Sequence, residues 1–316
     1  MFHPEYIVDE RVDWFWLSKN PNAIPILEQN LEKIDFINLL STNPNAIPLL
    51  SELTKINWHY LSSNPNAIPL LEKNMDKINW DNLSSNPNAI PLLEKNMDKV
   101  NWTCLSENPN AIHILEKNLC YVNWEWLSTN PNAIHILEQH LENVDWNALS
   151  LNPNAIHMLE QNPENINWNA LSSNPKAIRL LEQNIENVDW NALSLNPNAI
   201  HLLEQNIDKI HWLWLSMNPN AIRIFEKNLD KADWLCLSKN SNAVPLLEKN
   251  MNKVNWSGLS CNPNAIPLLA SLHTEKMREN CKAFAGELAS YVFHPARLMR
   301  ICQAYGLELE EYFEYV

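Results

Sequence analysis

The tetrapeptide Asn-Pro-Asn-Ala recurs along the chain at a nearly constant interval, and that interval limits the fold more than any other feature. Its prolines are Pro21, Pro44, Pro65, Pro87, Pro109, Pro131, Pro153, Pro175, Pro197, Pro219 and Pro263, and Ser241 takes the one missing place. After a spacing of 23 and another of 21, every step is 22 residues. Self-similarity at such a period marks a repeat array, in which each unit buries its apolar face against its neighbours. The 316 residues therefore do not imply two globular domains, as length alone would.

A typical unit runs over 80–101, and Trp102 opens the next. Twelve units extend from Trp14 to about Leu269; in the second, Phe36 replaces the tryptophan. That unit has one residue extra before Asn43-Pro44 and one fewer between 51 and 56, so the phase is restored. In the second half of a unit, Ile90, Leu92 and Leu93 predict one apolar helical face. Asn88 is the expected cap, and Pro91 then falls in the first turn, where no backbone N–H is needed. Asn-Pro-Asn-Ala becomes a turn. A second helix is predicted over 97–105. Asn162-Pro163-Glu164 reads as its start, with the acid repeated at Asp76, Asp98, Glu142, Glu186, Asp208 and Asp230. The next Asn-Pro stops it. Only three glycines occur, so asparagine is expected at left-handed positions.

A leucine-rich repeat shares the period, and Leu83-x-x-Asn86 matches part of its pattern. Its Leu-x-Leu before the asparagine is missing, and Ala-Ile-x-Leu-Leu-Glu reads as helix. The expected fold is all-α: an α-solenoid of about twelve 22-residue helix-turn-helix repeats over 1–269. A helical C-terminal cap over 270–316 follows, with longer helices predicted over 277–292 and 296–305. Such a cap would cover an apolar end.

The net charge is −14, from 23 basic and 37 acidic residues, with no basic run. Duplex binding needs clustered cations, so no nucleic-acid partner is expected. The six cysteines form no Cys-x-x-Cys pair and do not follow the repeat. They read as reduced thiols of an intracellular protein, without disulfide framework or zinc site. No apolar stretch reaches 18 residues and the opening residues have no signal core, so neither membrane span nor secretion is expected.

The motif Leu-Ser-x-Asn-Pro-Asn-Ala-Ile-x-Leu-Leu-Glu-x-Asn, with its Ile-Asn-Trp or Val-Asp-Trp link, resembles tandem-repeat proteins of giant DNA viruses of amoebae, the mimivirus-like group. The resemblance covers about residues 12–269. The opening Phe2-His3-Pro4-Glu5-Tyr6 and the closing Phe293-His294-Pro295-Ala296-Arg297-Leu298 resemble the ends of such chains. It implies host cytoplasm or virus factory as location. It implies little chemistry and assigns no functional residue.

Four rows of side chains are candidates for function. The tryptophans at fixed phase (Trp58, Trp80, Trp102, Trp124 and onward) are expected in the core. The glutamates from Glu72 to Glu248 form a ladder with no convergent pocket, because packed helices lie about 8–10 Å apart; each is expected to hydrogen-bond a neighbouring turn. The residue after the recurring isoleucine is proline in six units, but His113, His135, His157, Arg179, His201 and Arg223 fill six successive central units. That row is either a tolerant first-turn position or a contact line for an acidic partner, and its spacing is too wide for zinc. The second residue after the tryptophan varies, and Trp16, Tyr60, Trp126 and Trp214 in that column are candidate binding anchors or local packing. No nucleophile–base motif, phosphate loop or metal-ligand spacing occurs, so no catalytic activity and no cofactor are expected. The leading expectation is a non-enzymatic scaffold binding a protein partner along the array. The alternatives are a structural protein of a virus particle or factory that assembles through its ends, and an adaptor recruiting host machinery through its C-terminal region.

Overall fold

A computed structural model of the chain describes residues 5–34, 37–52, 56–276, 278, 286, 294 and 297–299. The chain divides into two compact units: Asp9–Leu269 forms one, and the segments before and after it form the other. The first is an all-α solenoid of 22-residue repeats.

The seventh repeat shows why the sequence folds this way. Its first helix, Trp146–Leu151, follows Asp145, whose backbone is extended (φ −83°, ψ 102°) and whose Oδ1 accepts the Ala148 N–H at 2.9 Å. That is a helix N-cap. Asn79, Asn101, Asn123, Asn167, Asp189 and Asp233 repeat it. The helix stops at Asn152, held extended (ψ 115°) before Pro153. Asn152 Oδ1 then accepts the Asn154 N–H at 3.0 Å and closes a tight turn. The second helix, Ile156–Gln161, ends where Asn162 Nδ2 donates back to the Met158 carbonyl at 2.8 Å. A 3-10 turn, Pro163–Asn165, and the extended Ile166 lead to the next cap.

Three local expectations are corrected. The helix foreseen over 97–105 is interrupted: Met97–Lys99 is a 3-10 turn, Val100 and Asn101 are extended, and the helix is Trp102–Glu107. The Asn101 side chain offers the next helix a cap only from an extended backbone, and that alternative wins. Asn88 does not cap its helix. The N-cap is Ala89, without a side-chain bond, and Asn88 Nδ2 donates instead to the Pro65 carbonyl of the preceding unit at 3.0 Å. Nor is asparagine left-handed where each second helix ends: Asn96 has φ −137°, and its amide closes the helix on the Leu92 carbonyl at 2.9 Å. Pro91 does occupy the first turn.

The core is a set of rows. Leu149, Ala155 and Leu159 are fully buried, as are their counterparts around the array, with Phe225 replacing the last of these leucines in the tenth unit. Two polar rows are equally buried, Ser150 and Asn152 with their equivalents. Buried polar groups need partners, and here the partners lie in adjacent units. Ser150 Oγ donates to the Trp146 carbonyl at 2.8 Å and accepts the Asn167 N–H of the next unit at 3.0 Å. Asn152 Nδ2 donates to the Ser128 and Asn130 carbonyls of the preceding unit at 3.0 and 2.9 Å. The tryptophans, expected in this core, are only partly buried. Each opens a first helix, and a side chain 19 residues on lies over several of them: Lys99 Nζ is 4.9 Å from the Trp80 ring centre, and Tyr121 stacks on Trp102 at 5.1 Å.

The array closes on itself. Asn20, in the first unit, donates to the Ser260 and Asn262 carbonyls of the twelfth at 3.0 and 2.8 Å. Asn22 Nδ2 reaches the Pro263 carbonyl at 2.8 Å, and the Asp13 N–H reaches Ser260 Oγ at 2.9 Å. Every one of these is the bond found between consecutive units, repeated after twelve full steps. Even the cation over the tryptophan is reproduced: Arg11 lies 4.0 Å over Trp256. The twelfth unit ends at Leu269 without its own link, and Arg11-Val12-Asp13, ahead of the first tryptophan, supplies it. The first and twelfth units thus bond to each other; the cap expected over 270–316 lies mostly outside the described residues. From the second unit to the twelfth, consecutive first helices pack side by side, as does the first unit's on the twelfth's across the seam, and more closely than the second helices do. In a ring the closer-spaced layer is the inner one, so the first helices line the inside.

In the other compact unit, strand β1 (Tyr6–Val8) pairs antiparallel with strand β2 (Ala270–Leu272), Ile7 opposite Ser271. The Lys276 ammonium meets Glu5 at 2.6 Å. These are the only strands among the described residues, and both lie outside the repeats, which removes the leucine-rich alternative. Most of 277–292 and 296–305 lies outside the described residues, as do Phe36 and residues 2–4.

Candidate interaction surfaces

The array presents two families of exposed side chains, one on each helix layer. On the second helices, the row His113, His135, His157, Arg179, His201 and Arg223 is exposed and in line, each residue standing where Pro91 stands in its own unit. The row does not offer six free positive charges. His113 Nε2 meets Glu94 at 2.9 Å, His157 meets Glu138 at 2.8 Å, His201 meets Glu182 at 2.6 Å, and His135 pairs with Glu116. The carboxylate belongs to the preceding unit each time. These glutamates, expected to bond a turn, bond the imidazole instead. Pairs half-exposed to water contribute about 0–1 kcal/mol each. Arg179 and Arg223 make no ion pair among the described residues, and Arg223 lines a depression of about 550 Å³ with Glu204, Ile207 and Lys227.

On the first helices, the variable column faces solvent in part. Tyr60, Trp126 and Trp214 are 41%, 42% and 38% exposed. Trp16 is partly buried, edge-on to Phe15 at 5.2 Å and 5.1 Å from Lys239 Nζ. Lys239 reaches it across the position of Gly258, where a side chain is excluded: a Cβ there would lie 2.7 Å from the Leu235 carbonyl oxygen. Tyr60 and Trp214 each have an imidazole against them, His59 at 5.1 Å and His211 at 5.7 Å. Trp126 has no ring or cation partner among the described residues. Leu151, Leu213, Met217 and Leu235, on the same helices, are also exposed. The sequence reading missed these four; their signal is apolar residues at columns that other units fill with Asn, Ser or Thr.

The groups with chemical potential are otherwise muted. Burial pushes the thiols of Cys104, Cys236 and Cys261 up, which keeps them protonated and poorly nucleophilic. Among the described residues no three of His, Cys, Asp or Glu gather to hold a metal ion, and no helix is long and apolar enough to cross a membrane. No protein-family model, curated protein or solved structure matches the chain.

Proposed function

We propose that the chain is a non-enzymatic scaffold that binds a protein partner through its first-helix layer. The observation carrying this reading is the exposed aromatic column. Alanine fills the same position at Ala148, Ala170 and Ala192, so the repeat does not need a large ring there to fold. Tyr60, Trp126 and Trp214 nonetheless expose large rigid surfaces, the residue types that anchor protein interfaces. The histidine and arginine row is the weaker surface for an acidic partner, because four of its six members are already engaged by glutamate. Within that row, Arg179 and Arg223 remain for such a contact.

Assembly through the ends has less support, since the first and twelfth units bond to one another. An adaptor role of the C-terminal region concerns residues mostly outside those described. A viral origin, with action in host cytoplasm or factory, remains part of the proposal and rests on the repeat motif alone. The test is affinity capture with the chain as bait, identification of the captured proteins, and repetition with Tyr60→Ala/Trp126→Ala/Trp214→Ala. The scaffold reading expects unchanged helicity and loss of the specific partner. Equal recovery by a folded triple variant would overturn it.

A further inference from the structure

The link residue before each tryptophan caps one helix with one side-chain atom and has a second atom to spare. In four places that second atom bonds the side chain 20 residues earlier on the neighbouring unit, and in a fifth, where the repeat is one residue short, Asn57 donates to Asn38. Asn101 donates to Asp81 at 2.7 Å, Asn167 donates to Asn147 at 2.9 Å, Asp189 accepts from Asn169 at 2.8 Å, and across the seam Asp13 accepts from Ser257 at 2.6 Å. Donor and acceptor are matched in every case. Between the sixth and seventh units the matching fails. Asp145 occupies the link position and Glu125 the position 20 residues before it. Both are acceptors only. Asp145 Oδ1 caps Ala148, and neither Asp145 Oδ2 nor the Glu125 carboxylate has a partner among the described residues. The two acids line a depression of about 440 Å³ together with Trp126, Asn147, Leu151 and Ala170. Its aromatic wall is the one member of the column without a ring or cation against it among the described residues.

We infer that this depression takes the arginine side chain of a basic segment in the protein partner, the guanidinium lying on Trp126 and donating to Glu125 and Asp145. The inference rests on the scaffold reading and specifies its chemistry. A guanidinium supplies the donors that both carboxylates lack and a flat face for the indole. The chain already uses this chemistry internally, and there arginine sits closer than lysine: Arg11 is 4.0 Å from Trp256, whereas Lys209 is 4.5 Å from Trp190. A net charge of −14 favours approach of a basic segment.

The repeat itself supplies variants that keep the fold. Asp145→Asn preserves the cap, because asparagine caps the same helix at Asn79, Asn101, Asn123 and Asn167. Glu125→Gln and Trp126→Ala change positions where other units hold Asn or Ala. The probe is acetylated tetra-arginine amide, titrated into full-length protein carrying 5-fluorotryptophan and read by fluorine NMR, with the Trp126 signal assigned from its loss in Trp126→Ala. Saturable movement of that signal is expected, with tetra-lysine weaker and tetra-glutamate inert. Glu125→Gln/Asp145→Asn should weaken binding about tenfold or more. Glu142→Gln/Glu164→Gln removes the same charge elsewhere on the array and should leave it unchanged. Equal weakening by both double variants would reduce the effect to net charge and overturn the inference, as would an unmoved Trp126 signal. Should tetra-arginine fail while the triple aromatic variant still loses its partner, the pocket assignment falls and the scaffold reading stands.

Discussion

Closure of the array makes Asn20 an interior residue, and this can be measured. Its amide donates to the Ser260 and Asn262 carbonyls at 3.0 and 2.8 Å, and its Oδ1 accepts the Asn22 N–H at 3.0 Å, all with the side chain fully buried. Asn152, far from the seam in sequence, makes the same three bonds. In Asn20→Ala the Asn262 carbonyl still accepts from the Ala265 N–H at 3.2 Å. The Ser260 carbonyl loses its asparagine donor in a buried site, and the N–H of the exposed Asn22 loses its turn bond. Leaving the buried carbonyl unsatisfied costs about 1–3 kcal/mol, which sets the expected loss. Urea denaturation of Asn20→Ala and Asn152→Ala should give equal losses within about 1 kcal/mol, since the two sites repeat one geometry. Hydrogen exchange should place the Asn20→Ala damage on both 9–23 and 256–265, segments from opposite ends of the sequence. In an open array Asn20 would sit at a free edge, and its truncation would cost little. A near-neutral Asn20→Ala beside a costly Asn152→Ala would refute closure.

Three further outcomes are expected. Gly258→Ala should destabilise by about 1–3 kcal/mol in thermal or urea unfolding, because its Cβ meets a backbone oxygen at 2.7 Å, although alanine is native at this position in three other units. His135→Pro should shift stability by less than about 1 kcal/mol, since proline is native at Pro91 and the only bond lost is the exposed pair with Glu116; a large drop in melting temperature would show that the pairs hold the units together. The side-chain and backbone hydrogen bonds from Arg11 lower the Asp9 carboxyl from 3.8 to about 2. A lowered carboxyl stabilises the folded state above its unfolded value and loses that effect as pH falls through the folded one. Exchange protection of residues 9–13 should therefore hold down to about pH 4 and weaken between there and about pH 2 relative to Asp9→Asn; identical profiles for the two would refute a role for the carboxylate.

The period, the two helices and the place of Pro91 were legible because each depends on neighbours a few residues apart. The role of Asn152 was not. A residue before proline reads as a turn-former, and nothing local reveals that its amide crosses to the preceding unit. The tryptophans misled for a related reason: fixed phase signals a repeated environment, and here that environment is half-exposed, beneath a lysine in several units, not in the core. Closure had a signal that went unused. Arg11-Val12-Asp13-Trp14 is a complete link with no unit ahead of it, and Leu269 ends a unit with no link behind it. Each is incomplete alone, and together they make one repeat. For the pocket, the acid pair Glu125 and Asp145 was visible in the sequence, but its meaning depends on knowing that positions 20 apart face each other.

Closure also bears on how such a chain can change over generations. Open repeat arrays gain and lose copies freely, because an end unit added or removed disturbs one junction. Here the twelve junctions must together complete one circle. A thirteenth copy, or an eleventh, leaves a misfit of about one-twelfth of a turn unless every junction relaxes in concert. The unclosed product would carry an unused Asn20 at one edge and the uncovered Ser260 and Asn262 carbonyls at the other, two faces made for each other. On a single molecule they would no longer meet; on neighbouring molecules they would, head to tail and without limit. Unequal recombination between copies would thus turn a closed array into one with two mutually fitting ends.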